Sequence, residues 1–286
     1  LNMNNNGSYG AFWFDNCGVV TLGSNITYSG NEWPLSIDIK TFVDASSTLP
    51  ASGNTNNGIR ILGGSLDVAG TWYHFPGVDY IIASNPIISA SGSLTINDGN
   101  TVRFNFANYL NINGTLNANG TSGNGILFTQ NGTSQWGGLR FQSGSNGSLE
   151  YCTIEHANYS TGYAVYATSP ASLTINHCIL QDNKYGFYGD NANPTITNTL
   201  FQDNTTSIQF LNTTSPEIGA GNTFLGDTYG FYFSNCTTPV IPAGTTIENN
   251  STAGIRFVNC PSLGTIDNLN MNNNGSYGAF WFDNCG

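Results

Sequence analysis

A short segment of alternating apolar residues recurs through the second half of the chain, and the ends of its successive copies are 22 to 25 residues apart. Such alternation is typical of a strand with one buried face. Two further short strands, separated by Gly- and Asn-rich turns, follow in each interval. The copies are GGLRF (137–141), AVY (164–166), GFY (186–188), SIQF (207–210), GFYF (230–233), GIRF (254–257) and GAFWF (278–282). The pattern predicts an all-β solenoid with three short strands per coil of about 22–25 residues.

A second repeat has a much longer period, because residues 1–18 and 269–286 are identical and both read LNMNNNGSYGAFWFDNCG. The simplest interpretation is a tandem unit of 268 residues, 1–268, followed by the start of the next unit. A coincidental match in a single-copy protein and an engineered duplication are the alternatives. We expect residues 1–286 to form one continuous β-solenoid, with less regular coils and longer loops over residues 19–84.

The composition limits the classes of partner. Only 8% of the residues are charged, and 6 Lys and Arg stand against 17 Asp and Glu, for a formal net charge of −11. So few cations cannot neutralise many phosphates, and we therefore expect neither nucleic acid nor an anionic membrane as a partner. No apolar run reaches the ~18 residues that span a bilayer, and the first residues lack the features of a signal peptide. We expect a piece of a longer extracellular or cell-surface protein whose targeting signal lies elsewhere.

The residues also carry a family resemblance. Residues 93–141, followed by SLEYCTIEHANYSTGYAVY and SLTINHCILQDNKYGFYGDNANPTITNTLFQDN, resemble the right-handed parallel β-helix group of the pectin-lyase-like superfamily. The similarity is greatest to the repetitive β-helices of large bacterial secreted and surface proteins. It covers residues 85–286 well and residues 19–84 more weakly. The resemblance implies a right-handed parallel β-helix, but this fold serves lyases, hydrolases, adhesins and passive stalks alike.

Stacked coils place equivalent inward side chains ~4.8 Å apart, so these side chains form rows along the solenoid axis. One predicted row contains small residues at a bend of the coil: Cys152, Cys178, Thr199, Thr223, Thr245 and Leu269. A second predicted row is mainly aromatic: Phe141, Tyr166, Phe210, Phe233, Phe257 and Phe282. A third set of asparagines suits left-handed turn geometry and side-chain hydrogen bonds to the backbone: Asn183, Asn204, Asn250 and Asn274.

Cysteine and histidine give weaker signals. Three cysteines follow similar strands at intervals that would place neighbours within disulfide reach: Cys236, Cys260 and Cys285. Buried, unpaired thiols are the favoured interpretation, and a disulfide is the alternative. The isolated histidines are predicted to be turn or packing residues: His74, His156 and His177. No spacing of Cys and His suggests a zinc site, and we expect no cofactor.

An active site is not expected. The resemblance implies that catalytic relatives use clustered aspartates with Ca²⁺ and a basic residue, or two or three aspartates with histidine, and no segment here matches those motifs. Three turn aspartates are spaced so that stacking would align them: Asp182, Asp203 and Asp227. Solvated turns are the favoured interpretation of these three residues, and a calcium site is the alternative.

The outward positions between the buried aromatics form a further predicted stripe, which contains Arg140, Tyr188, Gln209, Tyr232, Arg256 and Trp281. Such a stripe suits glycan binding or lateral contact between fibres, and self-stabilisation of the sheet is the alternative. We therefore expect a non-catalytic structural extracellular fibre or stalk, whose main partner is another copy of the unit joined end to end. An adhesin or carbohydrate-binding surface is the second hypothesis, and a polysaccharide lyase or glycoside hydrolase is the third.

Overall fold

The computed structural model describes residues 1–50, 52–168, 171–264 and 266–286. These residues form 32 short strands in five parallel sheets and no helix. None of them belongs to a helix that could cross a membrane. The predicted fold class is confirmed: the chain is an all-β parallel solenoid of about twelve coils.

The first sheet has 12 strands and extends from one end of the solenoid to the other. Its strands, in spatial order, are β2 (Phe12–Phe14), β5 (Leu35–Ile37), β7 (Gly58–Ile61), β10 (Asp79–Ile82), β13 (Thr101–Phe104), β16 (Ile126–Gln130), β19 (Cys152–Glu155), β22 (Ile179–Gln181), β25 (Leu200–Gln202), β27 (Thr223–Leu225), β29 (Thr246–Glu248) and β31 (Asn270–Asn272).

The second sheet has 10 strands and the third has six; in the described residues beyond Thr197, isolated parallel bridges such as Glu217–Val240 take the place of the predicted third strand. The second contains β8 (Gly64–Leu66), β11 (Pro86–Ile88), β14 (Leu110–Ile112), β17 (Leu139–Phe141), β20 (Tyr163–Thr168), β23 (Tyr185–Asp190), β26 (Thr206–Leu211), β28 (Tyr229–Ser234), β30 (Ala253–Val258) and β32 (Phe280–Asp283). The third contains β9 (Ala69–Trp72), β12 (Ser93–Ile96), β15 (Thr115–Asn119), β18 (Asn146–Glu150), β21 (Ser172–Asn176) and β24 (Thr195–Thr197). Two pairs lie near the N-terminus: β1 (Asn2–Asn4) with β4 (Thr27–Ser29), and β3 (Gly18–Val20) with β6 (Thr41–Val43).

The core lies on the solenoid axis, where the inward residues of the sheets meet. In β13, Val102 and Phe104 are fully buried, whereas Thr101 and Arg103 are partly exposed, so the strand alternates as its sequence predicts. Burying an aliphatic or aromatic side chain of this size contributes ~1.5–3 kcal/mol. The same alternation repeats in successive coils and produces one hydrophobic cluster along the solenoid.

The predicted aromatic row is right except at one coil. Phe141 pairs with Ala167, so Tyr166 lies on the outward side of β20. The inward row contains Phe141, Ala167, Gly189, Phe210, Phe233, Phe257 and Phe282. The small residues leave room for larger rings above and below. A Cβ at Gly189 would approach the Phe187 ring to 2.9 Å.

The predicted row of small residues also contains one error. The backbone N–H of Cys178 donates to Thr199 Oγ1 at 3.4 Å, and the N–H of Thr199 donates to Asn222 Oδ1 at 3.0 Å. Asn222 therefore occupies the position assigned to Thr223, which lies one residue further on and pairs with Leu200 in the first sheet. The amide of Asn222 satisfies a buried N–H at the bend, as the hydroxyl of Thr199 does one coil earlier.

The asparagines of the third set form a buried ladder, but they are not the residues with left-handed geometry. The left-handed residue is the one before each of them, for example Asp182 with φ 55° and Asn249 with φ 58°. The ladder asparagine that follows points inward, and its Oδ1 accepts the backbone N–H of the ladder residue in the preceding coil. We call this set the asparagine ladder; it contains Asn183, Asn204, Asp227, Asn250 and Asn274.

All six cysteines are free thiols in the structure. Cys236 and Cys260 are buried, and burial raises the pKa of Cys236 to about 11. These thiols therefore remain protonated at neutral pH and pack as small apolar residues. His156 and His177 occupy left-handed turn positions, with φ 60° and 51°.

Candidate functional site

The predicted outward stripe is a continuous row on the second sheet. Strand register brings all six predicted residues together and adds Tyr166, which the sequence predicts to lie in the inward aromatic row. With one residue per coil in chain order, this outward row contains Arg140, Tyr166, Tyr188, Gln209, Tyr232, Arg256 and Trp281. Parallel pairing places these neighbours ~4.8 Å apart, so their side chains pack along the row.

Arg256 organises one end of the outward row. Its guanidinium lies 3.8 Å from the ring centroid of Trp281 and 4.9 Å from that of Tyr232. The carboxylate of Asp283 lies 3.5 Å from its Nη2. Tyr277 stacks on Trp281 with a centroid separation of 4.0 Å. A cation held against aromatic faces in this way stabilises the sheet by ~0.5–1 kcal/mol per contact at an exposed site.

Four tyrosines form a second cluster near the middle of the outward row. Tyr163 and Tyr188 have ring centroids 4.5 Å apart, and Tyr166 and Tyr185 each lie within 5.8 Å of Tyr188. Burial in the cluster raises the pKa of Tyr188 to about 12 and also raises the pKa values of Tyr163 and Tyr185. The hydroxyls of Tyr163, Tyr185 and Tyr188 therefore stay protonated at physiological pH, and these half-exposed rings present neutral donors.

Strict alternation of inward and outward residues does not predict Tyr163, Tyr185 and Tyr229 on this surface. In β23 the exposure pattern breaks at two consecutive buried residues, Gly186 and Phe187. This local irregularity turns Tyr185 to the same side as Tyr188. A tyrosine three residues before the outward tyrosine in YGFY, at both 185–188 and 229–232, was the available signal.

Gln209 lies in the outward row but is not available to solvent. Its side chain is buried, and its Oε1 has no hydrogen-bond partner among the described residues. The flanking row members are Tyr188 and Tyr232, whose rings are larger than the glutamine side chain. The expectation that Gln209 contributes an exposed polar group to this surface is therefore wrong.

A shallow depression adjoins the tyrosine cluster. It has a volume of about 350 Å³ and is lined by Arg140, Gln142, Thr161, Tyr163 and Tyr166. The guanidinium of Arg140 also lies 3.8 Å from the ring centroid of Tyr109 in the preceding coil. The depression combines aromatic faces with amide, hydroxyl and guanidinium donors, a combination that can hold a polar ring with apolar faces.

The three aspartates predicted as a calcium candidate do not share a row. Asp182 and Asp203 are exposed turn residues, and the equivalent turn position in the next coil is Gly226. Asp227 lies one residue further on and is fully buried in the asparagine ladder. Among the residues that the structure describes, no group of three or more His, Cys, Asp or Glu is placed to hold a metal ion.

Asp227 has a distinct chemical environment. Its Oδ1 accepts the N–H of Asn204 at 2.8 Å and Nδ2 of Asn204 at 3.2 Å, and its other oxygen accepts the hydroxyl of Ser207. Burial raises the pKa of Asp227 to about 7 despite these hydrogen bonds, because the low-dielectric interior penalises the carboxylate. The group is enclosed in the core and has no access to a substrate.

Comparison with known proteins agrees with the fold. Residues 159–286 match the family described as a right handed beta helix region. The match begins just before the tyrosine cluster and includes all of the outward row from Tyr166 onwards. Comparison with curated proteins found no match, and neither did comparison with solved structures.

Proposed function

We propose that this chain, a parallel β-solenoid whose residues 159–286 match the right-handed β-helix family, builds a non-catalytic extracellular fibre or stalk from units joined end to end. One observation carries the proposal. The identical segments 1–18 and 269–286, here called the shared segment, are paired on opposite sides. The copy at 269–286 pairs with the preceding coil, whereas the copy at 1–18 pairs with the following coil. A copy between two units has partners on both sides.

The pairing with the preceding coil is extensive. Met271 pairs with Ile247 in the first sheet, and Phe282 pairs with Phe257 in the second. The Phe257 and Phe282 rings stack with centroids 5.2 Å apart. Phe282 is the last member of the inward aromatic row among the described residues, and it is 49% exposed. Its free face is apolar surface that a following coil would cover.

The pairing with the following coil involves the same sequence positions. Met3, equivalent to Met271, pairs with Tyr28, and Phe14, equivalent to Phe282, pairs with Ile37. The following coil therefore presents apolar inward residues at the positions that would contact the free face of the shared segment. Stacking on both sides would bury this face at ~25 cal/mol per Å² of apolar surface removed from water.

The asparagine ladder also continues through the shared segment. Asn250 Nδ2 donates to Asn274 Oδ1 at 2.7 Å in one copy. In the other copy Asn6, equivalent to Asn274, donates through Nδ2 to Asn31 Oδ1 at 3.0 Å. The two bonds use different atoms of the same residue, so a single asparagine can make both. Main-chain and side-chain bonding therefore support uninterrupted stacking of units.

A protein that contains several units should form a thin, unbranched rod. About eleven coils per unit at ~4.8 Å per coil give an axial length of roughly 53 Å per unit. Negative-stain electron microscopy of chains with one, two and three units checks this expectation, since the rod length should rise in equal steps. Separate beads on flexible connections, at any unit number, would contradict the fibre proposal.

The extracellular location rests on composition. A sequence with 8% charged residues, free thiols that are mostly buried and many polar uncharged side chains suits a long, repetitive surface exposed outside the cell. Immunogold labelling of intact cells with an antibody against residues 1–286 should decorate the surface.

A second candidate function, glycan adhesion, is favoured by the half-exposed aromatic residues of the outward row. If this surface binds glycans, Tyr232→Ala and Trp281→Ala should each weaken binding about tenfold, because loss of a central aromatic contact costs ~1–2 kcal/mol. A glycan array followed by calorimetry on any positive glycan measures the effect. Phe106→Ala is the matched control, since Phe106 is 63% exposed and lies outside the row. Equal binding by all three variants would exclude the row as a glycan site.

The third hypothesis, a polysaccharide lyase or glycoside hydrolase, has less support from the geometry. The exposed aspartates Asp182 and Asp203 lie at turns, and the buried Asp227 cannot reach a substrate. Incubation with acidic polysaccharides should release neither unsaturated nor reducing sugars. Release of either product would overturn the non-catalytic proposal.

A further inference from the structure

The two copies of the shared segment lie on different faces of the solenoid. In the copy at 1–18, the FWF strand β2 is the first strand of the first sheet. In the copy at 269–286, the NMN strand β31 ends the first sheet, and the FWF strand β32 ends the second sheet. The coil has three faces. Between the start and the end of one unit, the same residues have therefore moved from one face to the next face along the chain.

The equivalent residues Asn6 and Asn274 show the same advance: Asn6 bonds to a separate N-terminal row that contains Asn31 and Asn54, whereas Asn274 belongs to the asparagine ladder. Asn54, which accepts from Asn31, lies just before β7 of the first sheet. Asn183 lies between β22 of the first sheet and β23 of the second. The N-terminal row of asparagines thus occupies the corner that leads into the first sheet. The asparagine ladder occupies the next corner, between the first and second sheets.

From these placements we infer that successive units are rotated about the fibre axis by one face, close to one third of a turn, in the direction in which the chain winds. The inference rests on the proposed end-to-end stacking and adds its geometry. Eleven steps separate β2 from β31 in the first sheet, and β32 lies one face further on. A unit therefore contains about eleven and one third coils. The first sheet of each unit continues the second sheet of the unit before it.

This rotation determines how the fibre presents its surface to a partner. The outward row belongs to the second sheet of each unit. The second sheet of the next unit continues the third sheet of the first unit, and the second sheet of the unit after that continues the first sheet of the first unit. Each face of the fibre shows the row once in three units, or every ~163 Å at ~4.8 Å per coil. Each end of a unit therefore fits a second copy of the unit in the rotated position. Lateral partners meet the outward row on all three sides of the fibre.

The test uses a two-unit chain, residues 1–268 followed by residues 1–286, with two engineered cysteine pairs in the same molecule. Val258→Cys in the first unit faces Asp15→Cys in the second, because Val258 pairs with Asp283, the equivalent of Asp15. Trp13→Cys faces Ser36→Cys within the second unit. Neighbouring parallel strands are ~4.8 Å apart, within the Cα separation of ~4.4–6.8 Å that a disulfide requires.

In the rotated arrangement, non-reducing peptide mapping by mass spectrometry should find both disulfides in most molecules after mild oxidation. A control variant pairs Glu248→Cys in the first unit with Trp13→Cys in the second, which meet only if the first sheets of the two units are aligned; it should remain unlinked. A linked control with no Val258–Asp15 disulfide would overturn the rotation.

Electron microscopy of the unsubstituted two-unit chain separates this inference from the fibre proposal. A rod of double length whose outward rows lie on adjacent faces supports both proposals. A rod of double length with both rows on one face overturns only the rotation. Two units that do not share an axis overturn the fibre proposal itself and the rotation with it.

Discussion

Replacement of Asn204 by leucine is expected to lower the free energy of unfolding by about 3–5 kcal/mol. The side chain of Asn204 is buried and makes four hydrogen bonds: it accepts from the N–H and Nδ2 of Asn183, and it donates to Leu180 O and Asp227 Oδ1. Leucine has a similar volume but no polar atom, so the Asn183 N–H and the Leu180 carbonyl lose their partners inside the core. Each buried, unpaired group costs ~1–3 kcal/mol.

Urea unfolding followed by circular dichroism measures the change as a lower transition midpoint. Asn119→Leu is the matched control, because Asn119 is exposed and accepts a single hydrogen bond, from Ser148 Oγ at 2.8 Å. The control should change the free energy of unfolding by no more than ~1 kcal/mol. If the two variants unfold at the same urea concentration, the asparagine ladder does not stabilise the coils.

Much of the fold could be predicted from the sequence because alternation and period leave few choices. A strand of three to six residues with one buried face must have neighbours on both edges, and a repeat of 22 to 25 residues places those neighbours in adjacent coils. The register of the outward row from Tyr188 to Trp281 follows directly from aligning the motifs GFY, SIQF, GFYF, GIRF and GAFWF. The structure places those residues in that order.

The errors have a common physical cause, which is that a shift of one residue exchanges the two sides of a strand. The sequence predicts that Tyr166 is inward and aligned with Phe141. In the structure Tyr166 pairs with the outward Arg140, one position earlier, and is therefore outward. The predicted positions of Thr223 and Asp227 also differ by one residue from those in the structure. Turns of different length can accommodate a shift of one residue while the main-chain hydrogen bonds between coils are kept. A short strand motif does not show in which turn a residue has been inserted or deleted.

The sequence does not predict which of the three sheets a given strand joins. The strands of all three sheets are short and share an alternating pattern, so GIRI at 58–61 resembles GIRF at 254–257. The structure nevertheless places the former in the first sheet and the latter in the second. The sheet that a strand joins depends on the lengths of all the turns that come before it.

Replacement of Asp227 by asparagine is expected to stabilise the protein at neutral and alkaline pH. The ladder positions on either side, Asn204 and Asn250, are asparagines, and Asp227 is the one carboxylate among these described ladder residues. Its buried carboxyl has a pKa of about 7 in the folded protein, against an ordinary value near 3.8. A difference of this size corresponds to about 4 kcal/mol of stability that depends on pH.

The direction follows from which state holds the proton more tightly. Because the folded-state pKa of Asp227 is raised, folding favours the protonated form, and the contribution of this group is complete below pH ~4. As the pH rises from ~4 to ~7, the unfolded chain loses its proton first, and the stability falls. Above pH ~7 both states are ionised, and the loss reaches its full value of about 4 kcal/mol.

The amide that Asp227→Asn introduces does not titrate, so the fall in stability between pH ~4 and ~7 should largely disappear in this variant. The new amide can donate to the main chain of the preceding coil, as Asn204 Nδ2 does to Leu180 O at 2.9 Å. Thermal melts at four pH values spaced from ~4 to ~8.5 measure the difference between wild type and variant, which should grow with pH.

Asp203→Asn is the matched control, because Asp203 lies at the exposed turn beside the ladder, and it should keep the wild-type pH profile. Parallel pH profiles for wild type and Asp227→Asn would mean that Asp227 is already compensated in its ionised form. The ladder would then tolerate a buried charge, and the desolvation of this carboxylate would not limit the stability of the coils.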